Sequence, residues 1–180
     1  MRFVDFLKAA VLLFAGSANA LAIVTLVGAD PGRDRTLLYV GFGWWLVAAA
    51  AGGLLGRRSA AFAGVARLMA GARAATALPE LEPGAVLVNR LWALAAFTVA
   101  AGGVGIALPE VAAIAVGFPL LAAFVVRKQA SAVQAVEERD GVRFYIDKTS
   151  ALRATRLLRT PGFKRWVDES DELREREPAR

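Results

Sequence analysis

The chain of 180 residues contains neither cysteine nor histidine. Without thiols it has no disulfides, thiolate metal sites or cysteine nucleophiles. Without imidazoles it has no histidine-ligated haem, no His/Cys zinc site and no imidazole acid–base catalysis. Charge is missing from four long stretches, at about 9–28, 37–56, 91–108 and 111–126, none of which contains an Asp, Glu, Lys or Arg. A proton pump or ion-coupled transporter needs an ionisable group facing an internal cavity, so that mechanism is not expected within this subunit alone.

The four uncharged stretches are strongly apolar, and each is about long enough to cross a bilayer as a helix. They account for a hydrophobic content of 57% and a mean hydropathy of +0.48, high for a soluble chain. The run Leu46–Ala51 has no polar position on either face of a helix, where a soluble helix would show one. The expected fold is an all-α integral membrane protein. It has four transmembrane helices arranged as two hairpins in residues 1–126, a cytoplasmic loop at 57–90 and a mostly helical, basic cytoplasmic tail at 127–180. The arginine-heavy, lysine-poor, alanine-rich usage fits a GC-rich bacterial coding bias.

Cations set the orientation, because positively charged connections stay on the cytoplasmic side. Arg2 and Lys8 precede the first stretch, Arg57, Arg58, Arg67, Arg73 and Arg90 separate the second from the third, and Arg127 and Lys128 open a cation-rich tail. The other two connections hold Arg33 and Arg35 beside Asp30 and Asp34, and Pro109-Glu110. Both termini are therefore expected in the cytoplasm of a cell membrane. Ala18-Asn19-Ala20 imitates a signal-peptide cleavage site, but apolar sequence runs on through Val27, and the span is expected to stay uncleaved.

Small residues recur in the stretches: Ala15-Gly16-Ser17-Ala18, Gly41, Gly43, Gly52-Gly53, Gly102-Gly103 and Gly105. They permit the close helix contact that packing in lipid relies on. Ser17, Asn19 and Thr98 are candidate polar contacts at depth, either as interhelical hydrogen bonds or as the lining of a polar path. Pro119 predicts a kink in the fourth helix. Trp44 and Trp45 fall inside the second, where packing explains them and a lipid or pigment contact is the alternative.

Between the second and third stretches, Arg57–Ala77 reads as an interfacial helix with Phe62, Val65, Leu68 and Met69 on one face. In the tail, a helix is expected to leave the membrane and stop at Asp140-Gly141. A short strand at 142–146, a helix at 151–159 and a turn at Thr160-Pro161-Gly162 should follow. Arg153, Arg156, Arg159, Lys164, Arg165 and Trp166 form a candidate lipid-surface contact that suits anionic phospholipid headgroups better than nucleic acid.

No catalytic constellation emerges. With no histidine a serine nucleophile would need a lysine base, and Lys8, Lys128, Lys148 and Lys164 all lie in charged segments. Glu137, Glu138, Asp140 and Asp147 form the only acidic cluster near the membrane face; they could hold Mg²⁺, and the same spacing is equally that of a solvated turn. The expected function is therefore non-enzymatic and cofactor-free: association in the membrane as an accessory subunit or homo-oligomer, with a basic tail on the bilayer surface. A small oligomeric transporter or channel is the alternative, and a membrane-embedded enzyme the third reading.

Overall fold

The computed structural model describes residues 1–30, 34–74, 83–147 and 156–161. The chain is mostly helical, and four of its helices are long and apolar enough to cross a membrane. They are α1 (Phe3–Gly28), α2 (Arg35–Leu55), α4 (Pro83–Ala107) and a composite fourth made of α5 (Pro109–Ala115) and α6 (Gly117–Asp140). A shorter helix, α3 (Ser59–Ala70), lies between α2 and α4. The helices outrun the apolar stretches because alanine, leucine, arginine and glutamate at their ends are good helix formers wherever the hydrophobicity stops. Pro109 starts α5 at the first helical position, where its missing N–H costs nothing.

Small residues decide which helices touch. α6 carries Gly117, Leu121, Phe124 and Lys128 on one side and Ala123, Ala130, Val133 and Glu137 on the opposite one, given about 100° per residue. The first side receives α2 and the second receives the start of α1. α2 comes close to the α6 backbone at Gly52, where a Cβ would lie 2.7 Å from the Leu121 carbonyl oxygen and 3.0 Å from Phe124 Cβ. On α1, Ala18 and Leu21 join Ala101 of α4, Ala115 of α5 and Val116 in a second core. The packing order is thus α2, α6, α1, α4.

This order does not confirm the two-hairpin expectation, since α1 and α2 hardly touch although few residues separate them in sequence. The physical reason is the placement of the small faces. Gly41, Ala48 and Gly52 of α2 are buried and meet α5–α6, while α1 presents Leu12, Ile23 and Leu26 outward.

A small mixed sheet caps one end of the bundle. β1 (Arg73–Ala74) runs parallel to β3 (Leu157–Pro161), and β3 runs antiparallel to β2 (Val142–Ile146), in the order β1-β3-β2. Gly141 enables the entry into β2: it sits at φ 62°, which glycine adopts without strain, and ends α6 as expected. Along β2, Val142, Phe144 and Ile146 are buried and Arg143 is exposed, so the alternation buries one face. The chain start extends the sheet: Arg2 bridges to Tyr145, and Ile146 N donates to Met1 O at 3.2 Å. Phe3, Val4, Leu7, Val65, Ala130 and Val133 pack with the three β2 side chains and Leu157. A two-stranded ribbon alone is marginal, and this helical support stabilises it.

Three expectations change here. Leu157–Pro161 is a strand rather than the end of a helix, and Thr160 and Pro161 belong to it rather than to a turn. Leu157 pairs with Ile146 and completes its buried face, a long-range gain that outweighs local helix propensity. The expected interfacial helix is shorter, ending at Ala70. Val65 is buried in the protein core, and Leu68 and Met69 pack against it. Residues 151–155 lie outside the described residues.

Candidate functional site

Polar groups gather at three places. The first is the joint between α5 and α6. Pro119 has no N–H to offer Ala115, and helical pairing pauses between the bond from Val116 N to Ala112 O (3.1 Å) and that from Leu120 N to Val116 O (3.2 Å). Carbonyls in the gap are met from α2. Trp44 Nε1 donates to Ile114 O at 3.0 Å, and Trp45 Nε1 donates to Ala113 O at 2.7 Å. In apolar surroundings an unmet carbonyl is costly, so the tryptophan pair both satisfies the joint and fastens α2 to it. Gly117 makes the room, since a Cβ there would lie 2.6 Å from Trp44 Cε2. The interruption expected at Pro119 therefore falls at Val116, because proline acts on the turn that precedes it.

The second place lies between α1 and α4. The hydroxyls of Thr98 and Ser17 are 2.9 Å apart, and Thr98 Oγ1 is also 2.8 Å from Leu94 O. Asn19, the third candidate, is not part of this contact. It is exposed on the other side of α1, and its Nδ2 donates to Ala15 O one turn back at 3.0 Å. The three residues thus do not assemble around one path.

The third place is under the sheet. Glu137 is 6% exposed, and its two oxygens have different partners: Oε2 accepts from Arg2 Nη2 and Oε1 from Phe144 N, both at 2.9 Å. One carboxylate thereby ties the end of α6 to the chain start and to β2. The hydrogen bond that Arg2 donates to Glu137 raises the Arg2 pKa above its ordinary value, against a smaller opposing effect of burial. A raised folded-state pKa gives stability that is complete below the unfolded pKa and lost only as pH climbs past the folded one. For an arginine that window is strongly alkaline, so the arginine side of the pair does not titrate near neutral pH.

Of the lipid-surface candidates, Arg156 and Arg159 are exposed at the sheet, while Arg153, Lys164, Arg165 and Trp166 lie outside the described residues. The acidic group is dispersed. Glu137 faces Arg2, Glu138 accepts from Gln134 Nε2 at 3.0 Å, and Asp140 accepts from Arg139 Nε at 2.8 Å. Among the described residues no three such side chains converge on a metal position.

No family model, curated protein or solved structure matches this chain. Sequence reasoning missed two of the arrangements above. The role of Glu137 had no local signal, because its partners are Arg2 and the backbone of β2. The tryptophan bonds did have one: adjacent indole donors in one apolar stretch, and a proline in another that leaves helix carbonyls unmet.

Proposed function

We propose that this is a non-enzymatic, multi-pass protein of the plasma membrane with both termini in the cytoplasm. It acts by association, as an accessory subunit or a homo-oligomer, while its sheet end rests against anionic headgroups. The observation that carries this reading is the contrast between the two ends of the bundle. The sheet end exposes Arg57, Arg58, Arg67, Arg127, Lys128 and Arg143, and the opposite end carries Asp30, Asp34, Arg35 and Glu110. Such an asymmetry is what the positive-inside rule produces, and each cation close to an anionic leaflet contributes on the order of 1 kcal/mol.

Two further features support association. The outward sides of α2 and α4 are apolar, with Tyr39, Val47, Val99 and Ile106 all at least 60% exposed, and the polar groups inside the bundle are spent on holding helices together. Extraction of the full chain in a mild detergent followed by native mass spectrometry tests the reading. A discrete complex with another protein, or a homo-oligomer of two or more chains of 19.0 kDa each, is the expected result. Uniform monomers at the lowest detergent concentration would contradict it.

A further inference from the structure

The outward side of α1 is more specific than the other apolar faces. Leu12, Gly16, Asn19, Ile23 and Leu26 are all exposed, and they follow one another at spacings of four, three, four and three. That is the heptad spacing of two helices packed side by side with a left-handed twist. The stripe lies roughly opposite the buried side of the same helix, which is formed by Val4, Leu7, Ala18, Leu21 and Thr25. Leu12 is 73% exposed and Ile23 60%, so α1 uses one side for its own bundle and keeps a second, patterned side free. Gly16 has nothing within 4 Å of where a Cβ would sit, although the glycines facing α5–α6 are closely approached.

Asn19 stands at the middle of this stripe. Its amide spends one N–H on the Ala15 carbonyl of its own helix, which leaves a carbonyl oxygen and a second N–H on an exposed side chain. In lipid these groups have no water to bond, and a partner on another helix is the favourable outcome. An amide is both donor and acceptor and therefore complements itself. Two copies inserted in the same orientation bring Asn19 to Asn19 at equal depth, with Gly16 allowing close approach and Leu12, Ile23 and Leu26 interlocking around it. A single asparagine in an apolar heptad seam fixes register and the number of strands.

We propose that the Leu12–Leu26 face of α1 is the contact between two parallel copies of this chain, with the Asn19 amides paired across it. The proposal rests on the association reading above and specifies the partner. Because the chain has no cysteine, single cysteines report without background. In proteoliposomes, Leu12→Cys and Ile23→Cys are expected to oxidise to a covalent species of twice the chain mass, while Val47→Cys on the exposed side of α2 stays single. In the Ile23→Cys background, Asn19→Val is expected to lower the self-association constant about tenfold, and Asn19→Gln to retain most of it. Gly16→Leu should lower it as well by blocking close approach. Equal crosslinking at Val47→Cys and Ile23→Cys, or unchanged association in Asn19→Val, would overturn the proposal. If native mass spectrometry still showed a complex in either case, association itself would stand and only this face would be lost.

Discussion

Gly52→Val is expected to part α2 from the bundle and to lower the temperature at which the solubilised protein loses its monodisperse elution peak. A Cβ at Gly52 would lie 2.7 Å from the Leu121 carbonyl oxygen and 3.0 Å from both Leu121 Cα and Phe124 Cβ. Two of these atoms are backbone, so no side-chain rotation relieves the overlap and the helices must separate. Overpacking typically costs about 1–3 kcal/mol, and the upper part of that range is expected here. α2 has almost no other attachment than α5–α6, so the displacement should also weaken the Trp44 and Trp45 bonds. Gly53→Val is the internal control. Nothing lies within 4 Å of its Cβ position, and valine is a better helix former than glycine, so its thermal profile should equal or exceed that of the parent. Equal losses in the two variants would refute the close contact.

The second large effect belongs to Glu137. Glu137→Leu leaves the Phe144 N–H without its buried acceptor and Arg2 without its counter-charge. Removing one partner of a fully buried pair costs about 3–5 kcal/mol. The Arg2 side chain is 38% exposed and regains solvent, so the discounted expectation is about 2 kcal/mol. Glu137→Gln retains an acceptor for Phe144 N but loses the charge and the oxygen that accepts from Arg2 Nη2, so it should recover about half of the loss. The loss should be local, in the sheet, the start of α1 and the end of α6, leaving the middle of the bundle intact. Hydrogen exchange at Phe144 and Ile146 is the measurement: faster exchange in Glu137→Leu, with Glu137→Gln in between. Parent-like protection in Glu137→Leu would show that the carboxylate does not hold the sheet.

Much of the scaffold was legible in the sequence because hydrophobic length is a local signal. The four long helices, the close turn at Leu108-Pro109, the stop of α6 at Gly141 and the strand at Val142–Ile146 can each be read within a window of a few residues. The pairing of helices was not, because the sequence joins α1 to α2 by a short loop while the buried glycines of α2 fit α5–α6. Leu157–Pro161 was read as helix and turn for the same kind of reason: its strand partners are β2, ten residues earlier, and Arg73-Ala74, far away in sequence. Among the candidate polar residues, Ser17 and Thr98 come together, but Asn19 points the other way, and only the direction of the buried face of α1 reveals that. Glu137 looked like part of a solvated acidic turn because nothing near it in sequence announces Arg2.

The central claim is that the apolar helices cross a membrane and leave the sheet end in the cytoplasm. Single cysteines in the naturally cysteine-free chain test it with a membrane-impermeant maleimide on intact cells. Glu110→Cys marks the exposed turn at the start of α5, and Ser131→Cys marks the exposed part of α6 near the sheet. The account predicts labelling of Glu110→Cys in intact cells, and of Ser131→Cys only after the membrane is permeabilised. Labelling of both in intact cells, or of Ser131→Cys alone, would contradict it.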